Sequence, residues 1–540
     1  MAEGRSGHHD SETIFGLPVY TAGQMRRTDA AAIKGVGIPG AVLMERAGMA
    51  VAEYLLEHFC EHHCFVILAG KGNNGGDGFV AARHIREAGF EARVLAAAPA
   101  REYRGDALTN LRILGKLGIE VNHVPSAAVL NRALATDCII VDAVFGTGFS
   151  GEPRGKPAEF IKAAVRAVSR GGAPVVAVDI ASGVDASSGE TAGASLPADA
   201  TITFHAPKVG HFVAPGSYLT GNLILADIGI PQELSAEADH FLADEAEVTL
   251  LLPPKMDYDN KFTTGRVLVA GGSTGLTGAA CMAATAALRS GAGVVSAAVP
   301  AGLNTIFEQK LLEVMTVPLA DTGSGHLAEK ALDRLLDAAG NFDCVALGPG
   351  LGRDHESAAL VASFLGRSAL TVVLDADGLG AMAGRLPSLK KRLAPTILTP
   401  HTGELARLLQ MDPKEVKARR LSAAKAAAKK SGAIVVLKGS STIITDGAET
   451  VLSPTGNPGL ATAGSGDVLT GVISALAAKG LRPFDAAAAG VYIHGLAADM
   501  AAADTGEDNL IASDLIDYLP LAFASLHQEE QPAGPRVTAH

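Results

Sequence analysis

Tryptophan is absent from this 540-residue chain, and aromatic residues make up only 4% of it. Flat side chains that could stack on unpaired nucleic-acid bases are therefore scarce. Acidic residues outnumber basic ones, so the formal net charge at pH 7 is -12. An acidic surface repels the phosphates of nucleic acids and of anionic membranes. We therefore expect a protein that binds neither nucleic acid nor membranes.

Cysteines are few and scattered. They lie at Cys60, Cys64, Cys138, Cys281 and Cys344. An odd and sparse set does not indicate a disulfide framework, so we expect a cytoplasmic protein. Residues 1–13 are polar and lack the apolar core of a secretory signal, and no run is predicted to span a membrane. The polar tail over 528–540 is predicted to be disordered.

The length exceeds one ordinary domain and predicts two to four domains of roughly 150 residues each. Hydrophobic residues make up 48% of the chain, which suits a large buried core. The alternation of strands and helices is lost over 229–262, where Pro253 and Pro254 interrupt any helix. We predict one domain over 1–240 and another over 245–525, each folding without an element from the other.

The first half alternates short apolar strands with helical stretches. Strands are predicted at 65–69, 92–96, 138–144, 174–179, 201–204 and 223–227. This pattern predicts a mostly parallel sheet between two helical layers, as in a Rossmann-like three-layer domain. Ligands of such sheets bind beyond the carboxyl ends of the strands.

Glycines and polar side chains follow three of these strands. The first cluster is a glycine loop over 70–78 with two asparagines and Asp77, before a helix predicted at 79–88. It matches neither the Walker loop nor the usual dinucleotide fingerprint. The other two clusters run from Asp142 to Glu152 and from Asp179 to Asp185. All three are predicted to meet at one edge of the sheet.

The stretch from His58 to Cys64 contains three histidines and two cysteines, a composition found in metal sites. It has no second half-site of matching spacing. We favour a surface turn over a metal site.

The second half repeats the alternation and predicts another α/β domain. Strands are predicted at 266–270, 294–299, 314–317, 344–347, 371–375, 396–398, 434–438 and 442–445. Polar and glycine clusters again follow the strands, at 348–352, 375–379, 399–404 and 438–442.

The most informative stretch is Ala461–Asp467, a glycine-rich loop before a run that is apolar at helical spacing. The first amides of a helix bind anions well, and glycines let the backbone approach them. A carboxylate repels phosphate, so Asp467 is better placed to take a proton from a hydroxyl group. Loop and acid together predict phosphoryl transfer to an alcohol. The alternative is a turn with an acidic residue at a helix start.

The clusters of the first half resemble those of NAD(P)H-hydrate epimerases, most specifically in Asn-Asn-Gly-Gly-Asp. The resemblance implies hydrate contacts at Asn73, Asn74, Gly75, Gly76, Asp77, Gly146, Thr147, Gly148, Phe149, Ser150, Gly151, Glu152 and Asp179. It implies a potassium ion held by Asn74, Asp142 and Ser182, whose oxygens suit a hard cation better than zinc. Asp179 is the candidate acid/base of epimerisation.

Gly-Ser-Gly-Asp at 464–467 resembles ribokinase-like enzymes, and residues 463–469 resemble ADP- or ATP-dependent NAD(P)H-hydrate dehydratases. The ordered strand-end clusters agree with this. The implied hydrate ligands are Ala279, Gly350, His401 and Asp467, and the implied nucleotide ligands are Lys438, Gly439, Ser440, Ser441, Thr442 and Gly466. Two alternatives remain: His401 could only cap a helix, and Lys438 could extend into solvent.

The whole chain thus resembles bifunctional NAD(P)H-hydrate repair enzymes. The resemblance implies epimerisation of the R and S hydrates by the first domain, and ADP-dependent dehydration of the S hydrate by the second. Dehydration would release NAD(P)H, AMP and phosphate, with Mg²⁺ on the nucleotide and Asp467 as the base. The sequence does not decide between ADP and ATP, although the two-domain order resembles that of the bacterial, ADP-using form. A homo-oligomer is expected. The alternatives are a vitamin or sugar kinase fused to a regulatory domain, and a non-enzymatic first half that binds nucleotides.

Overall fold

A computed structural model describes residues 16–62, 64–135 and 137–527. The predictions for residues 1–13 and 528–540, and the part of the histidine-rich stretch at His63, lie outside the described residues.

The strands are short and mostly buried. In chain order they are β1 (Leu17–Pro18), β2 (Cys64–Ala69), β3 (Glu91–Ala96), β4 (Val121–His123), β5 (Ile139–Ala143), β6 (Val175–Val178), β7 (Ala200–Phe204), β8 (Asn222–Ala226), β9 (His240–Leu242), β10 (Arg266–Ala270), β11 (Val294–Pro300), β12 (Met315–Leu319), β13 (Cys344–Leu347), β14 (Thr371–Leu374), β15 (Thr396–Leu398), β16 (Ile434–Leu437), β17 (Ile443–Thr445) and β18 (Thr450–Leu452).

Helices connect most of these strands. They are α1 (Ala22–Ala30), α2 (Gly40–His58), α3 (Asn73–Glu87), α4 (Gly105–Lys116), α5 (Ala127–Ala133), α6 (Gly155–Gly171), α7 (Val209–Phe212), α8 (Glu245–Leu251), α9 (Thr277–Arg289), α10 (Asn304–Lys310), α11 (Leu332–Ala339), α12 (His355–Arg367), α13 (Ala376–Ala381), α14 (Thr402–Leu409), α15 (Pro413–Ala418), α16 (Arg420–Ser431), α17 (Ser465–Ala478), α18 (Pro483–Thr505) and α19 (Ala512–Leu526). A π-helix at Ala31–Val36 directly follows α1.

The first sheet has the strand order β4-β3-β2-β5-β6-β7-β8, and every neighbouring pair is parallel. Along β2, Phe65 and Ile67 face one apolar cluster while Val66 and Leu68 face another. Both faces of the sheet are therefore covered, as predicted. The order reverses between β2 and β5, so the loops after these two strands diverge and leave a crevice at the carboxyl edge.

The second sheet has the order β1-β9-β18-β17-β16-β15-β14-β13-β10-β11-β12. Strands β10 to β16 pair in parallel, and β16, β17 and β18 pair antiparallel. Its reversal point lies between β10 and β13, which again leaves a crevice at the carboxyl edge. The two sheets confirm the predicted α/β class, with a Rossmann-like first domain and a ribokinase-like second domain.

The segment between the sheets differs from its prediction. Residues 229–262 contain β9 and α8, so the expectation of a connection without regular structure is wrong. β9 pairs with β18 in the second sheet, and β1 from the start of the chain pairs with β9. Val19, Val209 and Val213 also pack in a core cluster of the second sheet. The first half therefore supplies elements to the second, contrary to the expected independence.

We expect a fragment that starts at residue 245 to be less stable than one that starts at 236. The shorter fragment lacks β9, which leaves the edge of β18 unpaired and uncovers the apolar surface under Phe241 and Leu242. Partial loss of two such side chains costs about 2 kcal/mol. Denaturant unfolding of both fragments measures the difference, and equal midpoints would contradict a structural role for β9.

Two expectations about composition are corrected. Cys64 and Cys138 form a disulfide between the starts of the neighbouring strands β2 and β5. The expectation of a chain without disulfides therefore does not hold, and the cytoplasmic location stays a prediction.

The second correction concerns α18, which is long and apolar enough to cross a membrane by length and composition. Its best window is 72% buried inside the protein, so it serves here as a core helix between α17 and α19.

Candidate functional site

The crevice of the first sheet holds a cavity of about 920 Å³. Its floor is made by the segment after β2, which is not the loop predicted. α3 already begins at Asn73, so the Asn-Asn-Gly-Gly-Asp motif is the first turn of a helix. Gly75 allows this, because a Cβ there would lie 1.9 Å from the carbonyl oxygen of Gly70. The helix N-terminus therefore points its free amides toward the cavity.

Most of the predicted hydrate ligands of the first domain line this cavity. They are Asn73, Asn74, Asp77, Gly146, Thr147, Gly148, Phe149, Ser150, Glu152 and Asp179. Gly75, Gly76 and Gly151 are not part of the lining. Gly76 packs closely under the side chain of Met44, so its small size serves the packing of α3 on α2. The contacts of all these residues with a hydrate stay predictions.

A buried ion pair lies at the base of the cavity. Lys208 is 1% exposed, and its Nζ donates to Asp179 Oδ1 at 2.5 Å, to Thr203 Oγ1 at 2.7 Å and to the Phe204 carbonyl at 3.1 Å. Burial alone would raise the pKa of Asp179, but Lys208 lowers it below the usual range. Asp179 is therefore held as a carboxylate. Its positive φ of 68° is rare for a residue with a side chain and is typical of functional sites.

His211 fixes the backbone of this pair. Its Nδ1 accepts from the Lys208 amide at 3.1 Å, and its Nε2 lies 3.0 Å from the Asp179 carbonyl. Burial and the neighbouring lysine lower the pKa of His211 to about 3. The ring is thus neutral, with its proton on Nε2 donated to the Asp179 carbonyl.

Two more carboxyl groups face the same cavity. Asp77 is 8% exposed, and burial, followed by repulsion from Asp179 and Asp29, raises its pKa well above the usual value. Asp29 lies at the end of α1, and burial raises its pKa as well. Burial therefore favours the protonated form of Asp77, whereas Lys208 favours the carboxylate form of Asp179.

Of the predicted potassium ligands, Asn74 lines the cavity, whereas Asp142 and Ser182 are not part of its lining. Asp142 is fully buried, and its carboxylate accepts from the Ser182 hydroxyl at 2.7 Å and the Ser182 amide at 2.8 Å. Burial raises the pKa of Asp142 to about 6, because these donors carry no positive charge. Asn74 is adjacent to Gly146, and its Nδ2 is a buried donor without a partner among the described residues. The side-chain oxygens of Asn74, Asp142 and Ser182 include a buried carboxylate without a positively charged partner among the described residues, and such a set suits a monovalent cation.

The second site is centred on Asp375, the residue after β14. Its Oδ1 accepts from Lys438 Nζ and Thr399 Oγ1, each at 2.8 Å, and its Oδ2 accepts from Thr470 Oγ1 at 2.8 Å. Burial would lower the pKa of Lys438, but Asp375, Glu404 and Asp467 together raise it. The lysine is therefore a fixed cation inside the site. The alternative in which it extends into solvent is wrong.

Asp467 lies in the first turn of α17, where the glycine loop opens the helix as predicted. Gly464 has a φ of 94°, and a Cβ there would lie 2.6 Å from Met282 Cε, so only glycine fits. Burial, with repulsion from Asp375, raises the pKa of Asp467 to about 7 although Lys438 opposes it. The first-turn amides have no acceptor within the helix and face the same space. An anion-binding turn and a carboxyl with a pKa near neutrality thus stand side by side.

The other predicted residues of the second domain surround this turn. A Cβ on Gly466 would lie 2.9 Å from Lys438 Nζ, and one on Gly350 would lie 3.0 Å from the Ala279 Cβ. The structure therefore brings together the ends of β10, β13, β16 and the start of α17. His401 does cap α14: its Nδ1 accepts from the Gly403 amide at 3.0 Å, and Glu404 completes the capping box. A hydrate contact of His401 stays a prediction, as do the contacts of Gly439, Ser440, Ser441 and Thr442 with a nucleotide.

Sequence reasoning missed several residues of these sites. Lys208 follows β7 by four residues, so the rule that ligands lie beyond strand ends would have found it. Asp375 lies in the predicted strand-end cluster at 375–379, but no motif in that cluster indicates its role. Asp29 follows no strand; its signal is a carboxylate one turn after the buried Met25 on α1.

The preference for a surface turn over a metal site at 58–64 stays a prediction, and the described residues of that stretch show the following contacts. Cys64 is bonded to Cys138, and no group of three potential metal ligands is found among the described residues. The surface-turn interpretation agrees with the exposed Cys60.

Comparisons with known proteins match both halves of the chain. Residues 267–521 match the family model described as NAD(P)H-hydrate dehydratase, and residues 40–210 match that of the YjeF-related protein N-terminus. The bifunctional NAD(P)H-hydrate repair enzyme of Moorella thermoacetica is 44% identical over 522 residues, covering 95% of this chain and 97% of the relative. The enzyme of the same name from Thermofilum pendens is 36% identical over 97% of this chain and 99% of the relative.

Among solved structures, the ADP/ATP-dependent NAD(P)H-hydrate dehydratase of Bacillus subtilis, co-crystallised with ATP and Mg²⁺, is 31% identical. The match covers 52% of this chain and 97% of that one, with a TM-score of 0.47.

One parallel and one mostly parallel sheet, each with a polar crevice at its reversal point, define a two-site α/β enzyme. This chain belongs to the family of bifunctional NAD(P)H-hydrate repair enzymes.

Proposed function

We propose that the chain repairs NADH and NADPH that have gained water across one double bond of the nicotinamide ring. The first site interconverts the R and S hydrates, and the second dehydrates the S hydrate with ADP. The observation that carries the proposal is the coexistence of two separate carboxylate sites. The first site has two carboxyl groups, Asp77 and Asp179, whose pKa values are shifted in opposite directions inside a large cavity. The second site has the carboxyl group of Asp467 in the first turn of α17, where the free backbone amides can bind an anion.

The chemistry of the first site follows from the hydrate itself. The hydroxyl-bearing carbon is bonded to the ring nitrogen, whose lone pair stabilises the cation left when water departs. Asp77, whose pKa is raised by burial, lines the cavity and is the group we assign to protonate the departing hydroxyl. Asp179, held as a carboxylate, stabilises the positive ring. Both Asp179 oxygens already accept hydrogen bonds, which favours this electrostatic role over the predicted acid/base role.

The second site suits activation of the same hydroxyl by phosphorylation. Asp467 accepts the hydroxyl proton, and the first-turn amides of α17 with Lys438 stabilise the charge of the transferred phosphoryl group. Phosphate then leaves, the neighbouring carbon loses a proton, and the dihydropyridine ring is restored. Mg²⁺ bound to the nucleotide would neutralise phosphate charge, and the carboxylates of Asp377 and Glu404 are of the type that Mg²⁺ prefers.

Purified protein tests this function directly. A mixture of R and S NADH hydrates is incubated with ADP and Mg²⁺ while the dihydropyridine absorbance is followed. Complete return of the absorbance from both epimers supports the two-site function. A kinase with a regulatory domain would leave the hydrates unchanged and phosphorylate an added alcohol, and a non-enzymatic first half would bind hydrate without epimerising it.

We also propose that Asn74, Asp142 and Ser182 hold a potassium ion that fixes the loops after β2, β5 and β6. Asp142→Asn should therefore remove a stabilisation of the protein by KCl over LiCl at equal ionic strength. A ligand at 100 times its dissociation constant stabilises by about 2.7 kcal/mol, a change that thermal unfolding detects. Asp185→Asn, which alters a neighbouring carboxylate outside the predicted ligands, should keep the KCl effect. If KCl does not stabilise the wild-type protein relative to LiCl, the proposal of a bound potassium ion is wrong.

A further inference from the structure

Three carboxyl groups of the first-domain cavity lie near one buried cation, while the other cationic side chains of its lining, Arg26, Lys71, Arg154 and Lys156, are exposed or half-buried. Asp29, Asp77 and Asp179 all line this cavity, and Lys208 is the buried cation that faces them. Lys208 bonds only to Asp179 among the three. For Asp29 and Asp77, the described residues supply no hydrogen-bond donor or ion-pair partner. Two carboxyl groups are thus free to exchange protons with a ligand.

These two groups reach the cavity from different walls. Asp77 is on α3, under the carboxyl edge of the sheet, whereas Asp29 is at the end of α1, outside the sheet. α1 is held at both ends: the Ala22 amide donates to Ser187 Oγ at 3.0 Å, and Thr28 Oγ1 accepts from the Ala236 amide at 3.0 Å. Asp29 is therefore positioned by the fold.

The backbone beside Asp29 is unusual. The chain changes from α-helix to π-helix at Ala31 and stays in it through Val36, and Ile33 of this segment also lines the cavity. π-Helical turns are rare and occur frequently at functional sites. Asp29 also precedes the residues that match the family model, which begins at 40.

Epimerisation needs proton carriers on both faces of one ring. Water leaves from one face and must add to the other, so a group beside the first face cannot serve the second without turning the ring. Asp179 is poorly suited to this task, because Lys208 and Thr203 occupy its Oδ1 and the Thr147 amide occupies its Oδ2. Asp29, which reaches the cavity from a different helix than Asp77 does, is the carboxyl group available for this task.

We propose that Asp29 is the second acid/base group of the epimerase site and serves the ring face opposite to Asp77. The inference rests on the function proposed above. In one direction Asp77 gives its proton to the hydroxyl, the carbon–oxygen bond breaks, and water leaves while the nitrogen lone pair forms a carbon–nitrogen double bond. A water on the other face then adds to that carbon, the double-bond electrons return to nitrogen, and the released proton passes to Asp29. The reverse reaction uses the same groups in opposite roles, so no outside oxidant or reductant is required.

The test separates loss of water from inversion. Pure S NADH hydrate is incubated with the full-length protein in ¹⁸O-labelled water, without ADP. Inversion is followed by chromatography and label uptake by mass spectrometry, after subtraction of a sample without enzyme. Wild-type protein should take up at least one label for each inversion. Asp29→Asn should invert on the order of 10²-fold more slowly, while label still enters S hydrate with retention of configuration through Asp77.

Two controls make the outcome decisive. Glu102→Gln removes an exposed carboxyl that also lines the cavity and should invert at the wild-type rate. Denaturant unfolding of the same Asp29→Asn sample, followed by a probe in the first domain, reports whether that domain is folded. Inversion at the wild-type rate in Asp29→Asn, or equal loss of inversion and of label uptake, would overturn the role of Asp29. A wild-type protein that inverts nothing would instead refute the proposed function.

Discussion

Replacing Asp467 with asparagine is expected to lower the dehydratase rate by about 10²–10⁴-fold, the usual effect of losing a general base. Asparagine keeps the shape of the side chain but cannot accept the hydroxyl proton. Epimerisation in the same variant should be unchanged, since the first site shares no residue with the loop that opens α17. The measurement is the rate of dihydropyridine recovery from pure S hydrate with ADP, beside chromatographic inversion of R hydrate.

The pH dependence gives an independent check on the same residue. Burial and Asp375 raise the pKa of Asp467 to about 7, and only the ionised form is a base. The dehydration kcat/KM should therefore rise as the pH increases through about 7, and this step should vanish in Asp467→Asn. Asp517→Asn, an exposed carboxyl on α19, serves as the control and should keep both rate and profile. An Asp467→Asn variant with most of its activity would exclude the residue as the base.

Replacing Lys208 with methionine is expected to destabilise the first domain by about 3–5 kcal/mol, because it leaves Asp179 buried without its cation. The same change should abolish epimerisation, since the carboxylate that faces the positive ring would take up a proton. Dehydration of S hydrate at a temperature where the variant is folded should remain. Denaturant unfolding followed by a probe in the first domain measures the loss of stability.

The double variant Lys208→Met with Asp179→Asn separates the causes. Removing both charges should recover much of the lost stability but no epimerase activity. Lys156→Met provides a matched control, because the Lys156–Glu159 pair lies partly in solvent and such pairs contribute only about 0–1 kcal/mol. A Lys208→Met variant as stable as that control would show that the buried pair does not stabilise the domain.

The parallel sheets were predictable because their strands are continuous apolar runs ending in polar residues. The predicted limits of β10, β13 and β15 agree with the structure at every residue. The rule that ligands lie beyond strand ends then placed the clusters around Asn73, Asp142 and Asp375 at the correct edges. Periodicity and strand ends together therefore gave the position of both crevices.

Other features depend on contacts that no local pattern reveals. β1 and β9 have two and three residues, too few for a recognisable alternation, and form only because each finds a partner strand far along the chain. The helical start at Asn73 contradicts the poor helix propensity of glycine and results from close packing against the segment after β2 and against α2. The pairing of Lys208 with Asp179 similarly joins residues 29 positions apart.

The pairing of β1 with the second sheet affects how the two domains of this enzyme can be separated. β1 is hydrogen-bonded into the second sheet, yet three residues later the chain enters α1, which carries Asp29 over the cavity of the first. The helix that lines one side of the first-domain cavity is therefore attached, through β1, to the sheet of the second domain. The first domain alone would lose this attachment and would keep only the contacts of α1 within its own half, such as those with Ser187 and Ala236. The fusion of the two activities in a single polypeptide is in this respect structural as well as metabolic.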